Sequence, residues 1–406
     1  MRSLISKHVR NAFDQFFGKF YYPIIASLAL IILLNNIYYI NYFVSTNNPW
    51  LVADWLINYS DGFVRRGLSG EVLMLLSDVT NLEIKIILQT FLIILSITFF
   101  LKILLAVKSL NISFWLLLVF LSPAYISFYI YDPGIIGRKE ILLYVSYLFW
   151  LSSLSSKKNN FQKTSYFYAF LSILLTLFHE VFFFFSVYFY VSSLIFFNKK
   201  NLINHSILIP LFSFFTVLVL YFFNQADFSS IEICNRIISY GVNENVCIDS
   251  ILSWPTNNVL DSIEYVLSMT NSLSYIYLIF MLVFVHVPFI LIYLFEEKIF
   301  SKRSFWKVFP IVFVNFFILF LITTDWGRWI NVHIIMFGIS IIYLFKETKT
   351  KEEFAEKNHK KNLLIGVLLP LVLLALMSVW NLRHCCRENF YLMEFNGFVG
   401  SILSFL

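Results

Sequence analysis

Charged residues are scarce in this chain of 406 residues, of which Asp, Glu, Lys and Arg make up only 13%. A soluble domain carries about 25% charged residues, so a soluble enzyme is excluded. Glycine occurs only 12 times, and the sequence has no Gly/Ser-rich tract, no internal repeat and no domain linker. These absences predict a single integral membrane domain over residues 1–406.

The sequence also lacks the signals of several other classes. The formal net charge is +6, but the positive charges are scattered through short loops, so no nucleic-acid partner is expected. No nucleotide-binding signature is present. The basic N-terminal stretch "MRSLISKHVRNAFDQFFGKF" has no small-residue cleavage site, so the first span is expected to remain as a membrane anchor.

Long apolar runs are abundant instead, as in "IIASLALIILLNNIYYINYF" and "LLIGVLLPLVLLALMSVW". Because these runs are long and do not alternate, they predict an all-α polytopic membrane protein and not a β-barrel. We predict about eleven spans, at 22–44, 86–107, 112–131, 141–156, 165–178, 181–197, 206–223, 273–295, 308–323, 330–345 and 362–381. The fifth and sixth are short and nearly continuous, and one long helix there is an alternative that would invert all later spans.

The distribution of lysine and arginine gives the orientation. With the N-terminus in the cytoplasm, the inner loops collect most of the 30 basic residues, as the positive-inside rule requires. Two long loops, 45–85 and 224–272, then lie outside. This pattern predicts a multi-pass protein of the bacterial inner membrane with its active face in the periplasm.

All four cysteines fall on the predicted outer side, where disulfides are permitted. A bond between Cys234 and Cys247 would close a short loop, and the sequence leaves open whether it forms. The adjacent cysteines of "RHCCREN" form only a weak metal motif, because no second His/Cys pair with ligand spacing accompanies them. No metal site is therefore expected.

Charged residues gather near membrane depth at five places on the outer side. They are the first loop, which includes the stretch "INYSDGFVRRGLSGEVL", with Asp54, Asp61, Arg65, Arg66 and Glu71; "YDPGIIGRKEILLY" with Asp132, Arg138, Lys139 and Glu140; "FHEVF" with His179 and Glu180; "TTDWGRWINVH" with Asp325, Arg328 and His333; and the tail of the last span with Arg383, His384 and Arg387. Charges at that depth are costly unless they pair or line a wet cavity. The set therefore predicts one shared cavity that opens outward.

Each member of this set also has a purely structural interpretation. Arg65 and Arg66 could contact lipid headgroups or form an ion pair. Asp325 and Arg328 are three residues apart, a spacing that can pin a helix end. His179 and Glu180 could form a satisfied buried pair.

Arginine is the residue for bidentate contact with phosphate, and it stays charged in a low dielectric. Together with the membrane setting, the arginines indicate a substrate linked to a polyprenyl pyrophosphate. A carboxylate among them could take the proton from a sugar hydroxyl, while the arginines stabilise the leaving pyrophosphate. The sequence thus favours glycosyl transfer.

The blocks "DGFVRRGL", "DPGIIGRKEIL" and "DWGRWINVH" resemble short blocks of bacterial O-antigen polymerases, which assemble lipopolysaccharide repeat units. The resemblance implies transfer of a glycan from undecaprenyl pyrophosphate onto a lipid-linked repeat unit in the periplasmic half of the membrane. It also implies no metal or nucleotide cofactor, and partnership with a flippase and a chain-length regulator.

One feature departs from that family, whose large late outer loop carries key Arg or His residues. Here the loop 224–272 holds only Arg236 and several acids. A long first outer loop with an acid near its start is similar instead to the broader C-type membrane glycosyltransferases, whose base lies there. This similarity makes Asp61 the first choice for the base.

The site prediction assigns two roles. Substrate binding is given to Arg65, Arg66, Arg138, Lys139, Glu140 and Arg328, and catalysis to Asp61, with Glu180 and Asp325 as alternatives and His179 and His333 as orienting groups. Three other functions stay open: a C-type transferase that adds single sugars from a polyprenyl monophosphate, a lipid-linked oligosaccharide flippase, and a structural membrane subunit. The flippase is disfavoured because charge is pooled on one side and no inverted repeat is visible.

Overall fold

The computed structural model describes residues 2–108, 110, 114–156, 160–196, 205–223, 231–248, 250–253, 259–295, 312–349, 380–385 and 393–394. These residues are predominantly helical. The helices are α1 Arg2–Ser45, α2 Pro49–Leu56, α3 Gly67–Thr80, α4 Ile84–Lys108, α5 Phe114–Leu121, α6 Phe128–Tyr131, α7 Glu140–Ser155, α8 Phe161–Phe178, α9 Phe182–Phe196, α10 Leu208–Phe223, α11 Ile231–Ser239, α12 Val259–Met269, α13 Ser272–Phe295, α14 Leu319–Ile322 and α15 Trp326–Lys349. Two short strands, β1 Asn381–Leu382 and β2 Met393–Glu394, pair antiparallel.

Four helices are long and apolar enough to cross a membrane: Phe20–Ser45, Ile84–Lys108, Ser272–Ile292 and Trp326–Lys346. Shorter apolar helices cover Glu140–Ser155, Phe182–Ile195, Leu208–Phe223 and Val312–Ile322. The chain is therefore a multi-pass membrane protein, as predicted, although about eleven full-length spans are not confirmed.

Two details of the predicted spans differ in the structure. The predicted span 112–131 is broken into α5 and α6, because Pro123 lies in its middle and proline ends a helix. The fifth and sixth spans are separate helices, α8 and α9, with a break at 179–181. The single long helix considered for that region is therefore wrong. The predicted last span, 362–381, lies almost wholly outside the described residues.

Helix α15 lies at the centre of the bundle. Of its apolar window, 94% is buried inside the protein, whereas only 28% of the first span is buried. Helix α15 packs on α7, α4, α9 and α13, and α1 packs mainly on α4. Side chains on α15 thus face protein, and those on α1 largely face lipid.

The long loop 45–85 is folded. Asn48 caps α2 by accepting hydrogen bonds from the backbone N–H groups of Trp50 and Leu51, a strong N-terminal signal. Helix α3 starts after Arg66, whose φ of 65° is left-handed. A Cβ on Gly70 would overlap the Ile57 carbonyl, so glycine there lets α3 pack directly against the end of α2.

The second long loop packs onto the first. Cys234 and Cys247 form a disulfide, which joins α11 to a 3-10 turn at Glu244–Cys247. That turn contacts α2, and Asn58 Nδ2 donates to the Ile233 carbonyl at 3.3 Å. The two loops form one folded cap over this end of the bundle.

Breaks between helices bring loop segments with charged or titratable side chains to the same end of the bundle. Asp132 is the C-cap of α6 and precedes Pro133, His179 is the C-cap of α8, and a break at 323–325 precedes α15. Gly137 has a φ of +77°, and a Cβ there would meet Leu51 of α2. This close approach sets the loop before α7 against the first-loop helices.

Candidate functional site

Arg66 joins two carboxylates from distant parts of the chain. Its Nε donates to Oε2 of Glu180 at 2.8 Å, its Nη2 donates to Oε1 of Glu180 at 2.5 Å, and its Nη1 donates to Oδ1 of Asp54 at 3.2 Å. Burial alone would raise the pKa of Glu180, but the Arg66 guanidinium holds it well below its usual value. Glu180 is therefore ionised and fixed between α8 and α9.

Glu140 is the centre of a second group of charged side chains, which together with the contacts of Arg66 forms the charged network. Its Oε1 accepts a hydrogen bond from Nη2 of Arg328, and Nε2 of His179 lies 3.3 Å from the same oxygen. Nη1 of Arg328 donates to Oδ2 of Asp325 at 2.9 Å. The i,i+3 pair considered for Asp325 and Arg328 is present, but Arg328 also reaches across to the start of α7.

His179 links the two centres. Its Nδ1 lies 3.4 Å from Oε2 of Glu180, while its Nε2 faces Glu140. The ring also contacts Trp329 edge-on, with 6.4 Å between centroids. The ring is thus held between two carboxylates by residues of α7, α15 and the turn between α8 and α9.

Lys139 and Asp54 form the most deeply buried part of the network. Nζ of Lys139 lies 3.6 Å from Oδ1 of Asp54, and the two side chains are 0% and 1% exposed. Burial alone would raise the pKa of Asp54, but Lys139 and Arg66 hold it at about 2. Burial lowers the pKa of Lys139 to about 8, against the opposing effect of Asp54.

Arg138 differs from the other arginines of the network. Its Nη1 donates to the Trp50 carbonyl at 2.7 Å and its Nε donates to the Gly134 carbonyl at 3.3 Å. Within the described ranges, no carboxylate oxygen lies within 4 Å of its guanidinium. Burial, together with the positive charge of Arg328, lowers the pKa of Arg138, so an anion beside it would be stabilised.

A small cavity adjoins Arg138. Its volume of about 20 Å³ has room for about one water molecule. Arg138, Glu140 and Arg328 line it together with the amides of Asn36 and Asn331. The structure thus brings predicted site residues from two loops around one cavity, next to the membrane-spanning part of α1.

The charges of the network largely cancel. The cations are Arg65, Arg66, Arg138, Lys139 and Arg328, and the carboxylates are Asp54, Glu140, Glu180 and Asp325. Arg66 and Arg328 have carboxylate partners, which leaves them little capacity for a phosphate. Arg65 lies at the edge, with Nη1 3.9 Å from Oε1 of Glu180 and about a third of its side chain exposed. Arg138, which donates only to backbone carbonyls among the described residues, is therefore the arginine best placed to meet an anionic ligand.

Two predicted catalytic residues lie apart from the network. Asp61 is exposed on the loop before α3 and forms no ion pair in the part of the chain that the structure describes. His333 is fully buried on α15, where its Nδ1 lies 2.7 Å from the Tyr188 hydroxyl and its Nε2 lies 3.0 Å from Nε2 of His286. The structure therefore places neither side chain beside the arginines.

Asp54 is among the charges expected near membrane depth, but neither Asp54 nor Asn36 has a predicted binding or catalytic role. Asp54 lies in the apolar stretch "PWLVADWL", where a single acid among buried residues is a signal of pairing that could have been used. Asn36 lies within the first span beside Asn35, and sequence alone does not show which of the two faces the protein interior.

The chain after the predicted last span also reaches the site. Asp132 Oδ2 accepts hydrogen bonds from the backbone N–H and Nδ1 of His384, at 2.8 Å and 2.7 Å. A Cβ on Gly327 would overlap the carbonyl oxygen of Arg383, so glycine lets this segment cross the start of α15. The described residues contain no group of three or more potential metal ligands.

Comparison with known proteins gives one match. The family model described as "Uncharacterised membrane protein Rv1490" matches residues 22–246, which is more than half of the chain and includes Asp54, Arg66, Arg138 and Glu180. No curated protein matches the chain, and no solved structure matches it.

Proposed function

The chain belongs to this Rv1490 family of membrane proteins, and we propose that it is a membrane glycosyltransferase of the O-antigen polymerase type. In the proposed reaction, a glycan moves from undecaprenyl pyrophosphate to the hydroxyl of a lipid-linked repeat unit. The bond between the anomeric carbon and the pyrophosphate oxygen breaks, and a bond from the acceptor oxygen to that carbon forms. Undecaprenyl pyrophosphate leaves, and the acceptor proton passes to a carboxylate.

The position of Arg138 is the single observation that carries this proposal. Its guanidinium lines a cavity and donates only to backbone carbonyls in the described ranges, while Arg328 is the neighbouring cation and the carboxylates of Asp54, Asp325 and Glu140 make no direct ion pair with it. A pyrophosphate offers the oxygens that a guanidinium binds best. Arg66 and Arg328 then act by holding the carboxylates of the site in place.

Asp325 is the carboxylate best placed to act as the base. Its side chain is 30% exposed and is held by Arg328, whereas Asp54 and Glu140 are buried. Asp61 remains a candidate only if its loop approaches the ligand, because it lies outside the network. Since a base must come within hydrogen-bond reach of the proton it takes, Asp325 ranks ahead of Asp61.

We place this site in the periplasmic half of the bacterial inner membrane, with the N-terminus in the cytoplasm. The lysine and arginine distribution supports that orientation. The disulfide between Cys234 and Cys247 lies in the cap over the site, and disulfides persist in oxidising compartments such as the periplasm. A flippase and a chain-length regulator are the expected partners.

A second candidate is a C-type transferase that adds one sugar from a polyprenyl monophosphate. The buried position of Asp54 favours it, because this acid lies near the start of the first long loop and belongs to the network. A monophosphate would also need fewer arginines than a pyrophosphate. The two candidates differ in their product.

The test is complementation in the source bacterium after deletion of the gene. The wild-type chain should restore a ladder of long glycans, and Arg138→Ala and Asp325→Asn should leave only the single repeat unit while the protein remains in the membrane. Lys85→Met, outside the network, serves as the control. A single added sugar instead of a ladder would favour the second candidate, and an unchanged ladder in Arg138→Ala would contradict the proposal.

A further inference from the structure

Two side chains that line the cavity beside Arg138 carry complementary polar atoms that lack partners among the described residues. Oδ1 of Asn36 and Nε of Arg328 are both buried and form no hydrogen bond with the described residues. Asn36 is 2% exposed and Arg328 is 7% exposed, and both residues line the same cavity. One atom is an acceptor and the other is a donor.

Leaving such groups unpaired inside a membrane protein is costly. A buried polar group without a hydrogen bond loses about 1–3 kcal/mol relative to its paired state. A group that pairs both atoms must accept a hydrogen from Arg328 Nε and donate one to Asn36 Oδ1. A hydroxyl does both.

The same walls disfavour an anionic group in the cavity. Glu140 contributes a carboxylate to the lining, and the lone pairs of Asn36 Oδ1 would oppose those of a phosphate oxygen. The volume of about 20 Å³ accepts one oxygen but neither a phosphate nor a sugar ring. The pyrophosphate must therefore stay outside the cavity, at Arg138.

We infer that this cavity is a subsite for one hydroxyl group of the sugar attached to the lipid pyrophosphate. The sugar hydroxyl occupies the cavity, donates to Asn36 Oδ1 and accepts from Arg328 Nε–H. Asn36 is then a specificity-determining residue that distinguishes a glycosylated lipid from the bare lipid. This inference rests on the proposed function, because it takes the ligand to be a lipid-linked saccharide.

Two ligands test the inference, both measured on the full-length protein in lipid nanodiscs. One is undecaprenyl pyrophosphate, and the other is the lipid-linked repeat unit extracted from the deletion strain. Asn36→Leu removes the acceptor at nearly the same volume, and Ser96→Leu fills the cavity from α4, whose Ser96 also lines it. Asn41→Leu is the control, because Asn41 lies on α1 like Asn36 but is exposed and pairs with Gln89.

Both cavity variants should bind the repeat unit about tenfold more weakly, the cost of one lost hydrogen bond to a buried group. Both should bind undecaprenyl pyrophosphate as the wild type does, and Asn41→Leu should match the wild type for both ligands. Unchanged binding of the repeat unit in Asn36→Leu and Ser96→Leu would overturn the subsite and indicate a cavity that holds water only. Failure of the wild type to bind either lipid would instead overturn the proposed function itself.

Discussion

Arg66 and Glu180 form a two-pronged ion pair in the charged network, although 114 residues separate them in sequence. The guanidinium holds both carboxylate oxygens and also reaches Asp54. This contact fixes the first long loop, 45–85, to the turn between α8 and α9. It therefore has a structural role before any role in substrate binding.

Replacing Arg66 should destabilise the protein, because Glu180 and Asp54 would keep buried charges without their partner. Breaking one side of a buried ion pair costs about 3–5 kcal/mol, so Arg66→Ala should lower the thermal midpoint in detergent clearly. Arg138→Ala, which leaves no described carboxylate unpaired, should shift it little. Equal midpoints for the two variants would contradict the view that Arg66 holds the structure together while Arg138 is free to bind a ligand.

A second replacement separates charge from shape at the same place. In Arg66→Met with Glu180→Gln, the carboxylate charge is removed together with the guanidinium. Because the uncompensated charge causes most of the loss, the double variant should be more stable than Arg66→Met alone. The double-mutant cycle measures the coupling between the two side chains.

The buried amine of Lys139 predicts a pH dependence of stability. Its pKa falls from 10.5 in the unfolded chain to about 8, so between these values the folded chain has released a proton that the unfolded chain still binds. Stability from this group therefore rises with pH over that window. Thermal midpoints at pH 7 and pH 9.5 should show the rise in the wild type and in Lys85→Met but not in Lys139→Met. A rise of the same size in Lys139→Met would assign the effect to other groups.

The disulfide in the cap should contribute measurably to stability. Cys234 and Cys247 are 13 residues apart, and closing a loop of that size is worth about 3 kcal/mol in the chain-entropy description. Replacing both cysteines by serine should lower the thermal midpoint, and reductant should lower that of the wild type to a similar value. Tyr240→Phe, which loses exposed hydrogen bonds of the hydroxyl with Asp78 and Arg236, is the control and should shift the midpoint far less. A midpoint unchanged by reductant would show that the bond does not hold the cap.

His333 should behave as a packing residue and not as a catalytic base. Its ring stacks on Phe316 with 4.4 Å between centroids, and both ring nitrogens already have partners, Tyr188 and His286. His333→Leu would leave those partners without a hydrogen bond, which should lower the free energy of unfolding by about 1–3 kcal/mol. The double variant His286→Leu with His333→Leu should lose less stability than the sum of the losses in the two single variants. A variant of normal stability without glycan polymer would contradict this interpretation and restore the catalytic one.

The sequence predicts the class of the protein well, because apolar runs and charge scarcity depend on composition alone. It also predicts which segments contribute charge at one end, since the positions of Arg66, Arg138, Glu180 and Arg328 follow from the ends of apolar runs. The pairing of those residues depends on tertiary contacts between helices far apart in sequence. For that reason the pairing of Arg66 with Glu180 and of Arg328 with Glu140 was not predictable, whereas the local pair of Arg328 with Asp325 was.

Two other outcomes have the same physical origin. Asp61 lies in the block "DGFVRRGL" but is exposed and forms no ion pair with the described residues. A single sequence does not distinguish such an exposed acid from a buried one. His333 follows Arg328 by five residues on α15 and faces a different part of the bundle. Helix register relative to neighbours, which a single sequence does not contain, decides both cases.

The most direct test of the central claim is reconstitution of the purified chain in lipid nanodiscs with the lipid-linked repeat unit. The wild type should join repeat units into longer lipid-linked glycans and release undecaprenyl pyrophosphate, and Arg138→Ala should release at least a hundredfold less while folding normally, as expected for loss of a charged transition-state contact of about 2.7 kcal/mol or more. Full activity in folded Arg138→Ala, or no glycan extension by the wild type, would contradict the account.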